Sequence, residues 1–160
     1  MPIATSGKIV ERDAAHRWRV AQAGRVVFTN GVFDLVHAGH VALLEAARSL
    51  GDALVVGVNT DHSAARLCKG PGRPFVPEDD RARVVAALAA VDLVVLFSED
   101  TPAALVDALA PDVLVKGEDY DPATLPGREH VTARGGAVQV LPLLPGRSTT
   151  ALVERIRATT

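Results

Sequence analysis

Two histidines, His37 and His40, stand three residues apart with Gly39 between them, directly after an apolar run and before an amphipathic one. Side chains three apart share one face of a helix. At the first turn they lie beside unpaired backbone N–H groups and the positive end of the helix dipole. Both imidazoles would then point at one anion. Gly39 removes a side chain where a ligand approaches the backbone, and Gly31 allows a sharp exit from the preceding strand. The chemistry this suits is a phosphate cradle. Half of a zinc site is one competing reading, but no cysteine cluster or histidine-rich segment completes the ligand set, so no metal-ligating residue is assigned. Two hydrogen-bonded histidines without a chemical role are the other. Their place after the first strand, with glycines on both sides, argues against that. His16, His62 and His130 lack this setting and read as surface or local hydrogen-bonding residues.

A cradle of this kind needs a strand, a turn and a helix to hold it. Residues 25–30 carry the β-formers Val26, Val27 and Phe28, and residues 38–50 carry Val41, Leu43, Leu44, Ala47 and Leu50 at helical spacing, with Gly51 as the stop. A second apolar strand follows at 53–59, then a short helix through Leu67 and a Pro/Gly-rich loop at 68–74. A helix opened by Pro77 and three acids, a strand at 93–97, a helix from about Pro102 to Leu109 and a strand at 113–116 continue the alternation. The polar stretch 117–135 has room for short helices, and a strand at 137–141 and a helix at 149–158 close the chain. Continuously apolar strands alternating with helices predict an α/β fold: a Rossmann-like, three-layer α/β/α domain with a five-stranded parallel sheet. Ligands bind such sheets beyond the carboxyl ends of the strands, here in the loops after Asn30, Asn59, Phe97, Lys116 and Leu141.

The totals agree with one soluble domain. The chain has 160 residues, 48% of them hydrophobic and only 4% aromatic, with a formal charge of −2. That charge gives no reason to expect binding to nucleic acid or an anionic membrane. A single cysteine, Cys68, excludes an internal disulfide and reads as a packing residue. Neither a secretion signal nor a membrane span is visible, which predicts a cytoplasmic protein. Residues 1–24 are expected to form a helical segment packed on a domain made of residues 25–160, with Trp18 packing its helix onto the sheet or onto a partner subunit.

The element His37-Ala38-Gly39-His40 resembles the His-x-Gly-His element of the cytidylyltransferase-like family of nucleotidyltransferases. Gly146-Arg147-Ser148-Thr149-Thr150 is similar to that family's second phosphate element, a Ser-Thr-Thr run opening a late helix. The stretches Thr29-Asn30-Gly31-Val32-Phe33-Asp34, Lys69-Gly70-Pro71-Gly72-Arg73-Pro74, Asp100-Thr101-Pro102 and Val115-Lys116-Gly117-Glu118-Asp119-Tyr120 look most like the heptose-1-phosphate adenylyltransferases. In many relatives that activity is the C-terminal half of a bifunctional kinase/adenylyltransferase. The resemblance runs from about Lys8 to Ile156, leaves no room for a sugar-kinase domain, and so implies a stand-alone form. Glu118 departs from Lys-Gly-Gly-Asp-Tyr, and an acid there resembles the glycerol-3-phosphate cytidylyltransferases.

The resemblance implies transfer of AMP from ATP to D-glycero-β-D-manno-heptose 1-phosphate, with magnesium accompanying the ATP and the chain acting as a homodimer. It assigns catalysis to His37, His40, Lys69 and Arg147. Nucleotide contacts fall to Asn30, Gly31, Val32 and Phe33 in the first loop, with Gly39 beside the histidines. Lys116, Gly117 and Asp119 in the fourth loop and Arg147, Ser148, Thr149 and Thr150 in the last complete them. Asp34, Asn59, Lys69 and Arg73 would face the sugar phosphate, the Pro/Gly loop closing as a lid. Asp34 reads equally well as a magnesium contributor or a turn stabiliser. Two alternatives stay open: a cytidylyltransferase acting on glycerol 3-phosphate or another small alcohol phosphate, and a nucleotide-binding regulatory module without catalysis.

Overall fold

The computed structural model describes residues 4–67 and 70–159. Each apolar run forms a strand: β1 (Val26–Gly31), β2 (Ala53–Asn59), β3 (Leu93–Phe97), β4 (Val113–Gly117) and β5 (Ala137–Leu141). All neighbours pair in parallel, in the order β3-β2-β1-β4-β5. The helices are α1 (Arg12–Val20), α2 (Ala38–Arg48), α3 (Asp61–Leu67), α4 (Glu78–Ala87), α5 (Ala103–Leu109), α6 (Arg128–Ala133) and α7 (Thr149–Ala158).

Side chains alternate across a strand, so a continuous apolar run feeds two cores. Val26 and Phe28 join Ala15, Leu105, Leu109 and Val131 on the face covered by α1, α5 and α6. Val27 joins Leu44, Ala47, Ala82 and Val85 on the opposite face, under α2 and α4. This is the three-layer α/β/α arrangement. The N-terminal segment continues the sheet: Ile9 bridges Val94 in parallel, the Val10 N–H donates to the Val94 carbonyl at 3.0 Å, and Trp18 packs against the first core. No helix is long and apolar enough to cross a membrane among the described residues.

One local expectation changes. Helix α2 ends at Arg48, and the Arg48 guanidinium donates to the Gly51 carbonyl at 2.6 Å. Gly51 is therefore not the residue that stops the helix. A Cβ there would lie 2.6 Å from the Arg25 carbonyl oxygen, so glycine is needed for the chain to pass the start of β1.

The sheet order sets the site. From β1 the chain moves to β2 and β3 on one side and then crosses to β4 on the other. The loops leaving β1 and β4 consequently diverge and open a crevice at the carboxyl end of the sheet.

Candidate active site

The first loop turns where two bulky residues adopt left-handed backbone. Phe33 has φ 54° and Leu35 has φ 53°, while Gly31 is still part of β1. Gly31 is small for a different reason than turning: a Cβ there would come within 3.1 Å of the Phe33 ring. Non-glycine residues in this region store roughly 1–3 kcal/mol each, held only by surrounding contacts. Those contacts are present. The buried Asp34 carboxylate accepts the N–H of Phe75 at 2.9 Å and of Val76 at 3.0 Å, and its carbonyl accepts the Thr149 hydroxyl at 2.8 Å.

His37 caps α2 with its own ring. Its Nδ1 accepts the Gly39 N–H at 3.0 Å, and the His37 N–H donates to Nδ1 of His40 at 3.2 Å. Each Nδ1 is thus an acceptor, which places the proton of the neutral ring on Nε2. The rings stack at 3.9 Å between centroids, and Phe33 lies 5.4 Å from His40. Burial, then the neighbouring His37, push the His40 pKa down to about 4 against the opposing pull of Asp34. Burial and then Arg147 lower that of His37. At neutral pH both rings are neutral Nε2–H donors, a state that suits anionic oxygen. Gly39 is small for the rings: a Cβ would lie 2.9 Å from His37 Cε1 and 3.1 Å from Arg147 Cβ.

That last distance brings the two distant motifs together. His37 and Ala38 share a cavity of about 410 Å3 with Gly146, Arg147, Ser148 and Arg155, so the N-termini of α2 and α7 open on one space. Ser148 caps α7 by accepting the Ala151 N–H at 3.0 Å. Thr149 is taken by Asp34, and Thr150 is exposed.

The β4 side carries a buried cation. Lys116 is 9% exposed, donates to the Asn30 carbonyl at 2.7 Å and sits 4.7 Å above the Tyr120 ring. Burial pushes its pKa down to about 8, with Asp119 opposing. Burial, then Asp119, raise that of Tyr120. Asn30, Gly31, Val32, Lys116 and Tyr120 divide two cavities. One, of about 340 Å3, extends to Asn59, Asp100 and Thr101. The other, of about 180 Å3, extends to Phe33, His40, Gly117 and Asp119. The Asn30 Oδ1 is buried, with no hydrogen-bond partner among the described residues, a polar atom awaiting a donor.

Other expected residues are placed less directly. Arg73 stacks on Phe75 at 5.6 Å. Asn59 is buried and donates to Ser63 Oγ at 2.8 Å. Lys69 and Cys68 lie outside the described residues. Glu118 plays a local part, since its carboxylate accepts the Leu143 N–H at 3.1 Å and ties β4 to the loop before α7. No cluster of three His, Cys, Asp or Glu that could hold a metal occurs among the described residues, and both Asp34 oxygens already accept backbone N–H groups. The described residues offer no built metal cage, and a magnesium ion on ATP would rely on phosphate oxygens and water.

Sequence reasoning missed Arg155, Tyr120 and Arg81. Arg155 had a usable signal, since it falls seven residues after Ser148 and so on the same face of α7. Arg81 had none: in Glu-Asp-Asp-Arg-Ala-Arg it looks solvated, yet it is 1% exposed. A larger cavity, about 590 Å3, lies at the amino end of the sheet among Arg19, Arg25, Asp112 and Arg134. Two of its three arginines are already matched, because Arg19 pairs with Asp112 at 3.1 Å and Arg134 with Asp107 at 2.7 Å.

Two helix N-termini opening on one cavity beside a parallel sheet are an arrangement in which α/β domains bind phosphate groups. Similarity to known proteins narrows the class: residues 28–155 match the cytidylyltransferase-like family, and the chain belongs to this family of nucleotidyltransferases. It is 58% identical over 142 residues to the bifunctional protein HldE of Magnetococcus marinus, covering 89% of this chain and 29% of that protein. With the bifunctional protein HldE of Alkalilimnicola ehrlichii it shares 53% identity over 154 residues, 95% of this chain and 32% of the other. The chain thus spans about a third of the length of these curated relatives. Among solved structures, the lipopolysaccharide core biosynthesis protein from Thermoplasma volcanium superposes with a TM-score of 0.64 at 30% identity, covering 76% of this chain and 98% of that one.

Proposed function

We propose that the chain transfers AMP from ATP to D-glycero-β-D-manno-heptose 1-phosphate, giving ADP-heptose and pyrophosphate. The observation that carries this reading is the shared cavity of α2 and α7, lined by His37, with His40 stacked on His37 and lining the cavity on the β4 side, both rings Nε2–H donors. The sugar comes from the resemblance of four loops to heptose-1-phosphate adenylyltransferases: the first, the Pro/Gly loop, the one before α5 and the one after β4. A role in lipopolysaccharide core synthesis named for the Thermoplasma protein agrees with it.

An oxygen of the sugar phosphate attacks the α-phosphorus in line as the bond to the β-phosphate oxygen breaks, and pyrophosphate leaves with the bonding pair. A phosphate monoester has a second pKa near ~6, so the attacking group is already ionised and no strong base is required. The demand falls on holding anions together and on the charge that gathers around phosphorus. His37 and His40 donate from Nε2, the first N–H groups of both helices and Arg147 bind phosphate oxygens, and Arg155 adds a second cation. Lys116 and the orphaned Asn30 Oδ1 face the reacting substrates from β4 and β1. Lys69 and Arg73 act from the Pro/Gly loop on the sugar phosphate. Magnesium enters as part of the ATP substrate. The enzyme works in the cytoplasm, where ATP is available, as a homodimer.

Pyrophosphate release measured with ATP or CTP, each paired with heptose 1-phosphate or glycerol 3-phosphate, tests the proposal. Turnover is expected with ATP and heptose 1-phosphate. Turnover confined to CTP rejects the assignment, and nucleotide binding without release under any pairing favours a regulatory module.

A further inference from the structure

Arg81 is the largest fully buried side chain among the described residues, and it lines none of the cavities at the site. Its guanidinium reaches three separate segments. Nε donates to the Val76 carbonyl at 2.8 Å, one terminal nitrogen to the Val32 carbonyl, and the other to Asp61 Oδ1 at 2.8 Å. Val32 belongs to the first loop, next to the left-handed Phe33. Asp61 opens α3, two residues after Asn59. Val76 ends the stretch that carries Arg73.

Val76 is gripped from both sides, because its N–H goes to Asp34 while its carbonyl goes to Arg81. Asp34 in turn receives Thr149 of the last phosphate element. One arginine and one aspartate therefore join four segments that bear site residues. Stability alone gives a weak reason for such a group, since burying a guanidinium costs several kcal/mol that a well-packed apolar side chain avoids. A planar fork with donors in fixed directions does supply geometry, and Lys could satisfy only part of it.

Resting on the adenylyl transfer proposed above, we infer that Arg81 is a positioning residue, holding the first loop, the start of α3 and the Phe75–Val76 segment in one register without touching substrate. Arg81→Met removes the fork at similar volume, and Arg81→Lys keeps the charge with fewer contacts. Displacement of reacting groups by about an ångström lowers turnover about 100-fold. Arg81→Met is accordingly expected to reduce kcat about 100-fold while the KM for ATP stays within about threefold, because the α2 and α7 cradle is untouched. Amide exchange at Phe75 and Val76 should quicken, with the β1 and β2 amides protected as before. Arg81→Lys, the variant to use if Arg81→Met does not fold, is expected to lose about tenfold in kcat at unchanged melting temperature.

A folded variant with wild-type kcat and unaltered exchange at residues 75–76 overturns the inference. So does exchange that rises equally in all core strands, since that marks a merely structural residue. If the wild-type protein turns over no nucleotide pair, the functional proposal fails by itself. The exchange pattern of the two variants then still decides whether Arg81 fixes this register.

Discussion

Both ends of the sheet carry a cavity lined by arginines, and the larger one is at the wrong end for chemistry. At the amino end, Arg19 and Arg134 are neutralised by Asp112 and Asp107, and the Asp112 carboxylate also accepts the Val26 N–H at 2.7 Å. Arg19, through Asp112, braces the beginnings of β1 and β4, and Arg134 ties α6 to α5. At the carboxyl end, Arg147 and Arg155 pair with no carboxylate among the described residues, and two helix N-termini add further positive potential. The difference between the ends is one of charge balance, not of volume. A cavity in which two of three arginines are already paired has less left to offer an anion, whereas unpaired cations beside oriented N–H groups await one.

The largest effect expected from this contrast is at the histidine pair. His40→Ala removes a donor preset on Nε2 and should lower turnover about 100- to 1,000-fold while the melting temperature changes little. Steady-state rates and thermal melts on the same preparation check it; equal losses in both would make His40 a structural residue. Matched substitutions at the two ends sharpen the comparison further. Arg147→Ala should reduce kcat/KM for ATP about 10- to 100-fold, whereas Arg134→Ala should leave it within about twofold. A stronger effect from Arg134 would reverse the assignment of the two cavities.

The smallest effects come from pH. Lys116 titrates at about 8, so an activity that needs its ammonium should decline as pH rises through that value, and Lys116→Met should flatten this limb of the rate profile. His40 acts on stability in the other direction. Its pKa is about 4 in the fold against an ordinary value of 6.5, so the unfolded chain binds more protons between these values. Stability should therefore fall as pH is lowered from 6.5 toward 4, and His40→Ala should weaken that slope. A denaturation series across this range gives the answer.

Much of the layered architecture was legible because buried parallel strands are continuously apolar and their helices are not. The runs at Ala53–Asn59, Leu93–Phe97 and Ala137–Leu141 form strands with the expected bounds. The placement of the two motifs after strands could also be read, because strand ends and helix caps leave their marks in residue type, whereas the order of the strands in the sheet does not. What sequence could not show was how the first loop turns. Bulky Phe33 and Leu35 occupy left-handed backbone that their types disfavour, and the contacts of Asp34 with Phe75, Val76 and Thr149 hold them there. Glu118 and Arg81 were opaque for a related reason. Each is a charged residue whose partners come from distant segments, and pairings of that kind leave no local pattern.

A crystal structure with a non-hydrolysable ATP analogue tests most directly whether the early and late helices hold one polyphosphate between them. Its phosphates are expected within hydrogen-bond distance of Nε2 of His37 and His40 and of the first N–H groups of α7. Phosphates seated among Arg19, Arg25 and Arg134 at the amino end, or bound by one helix alone, would contradict it.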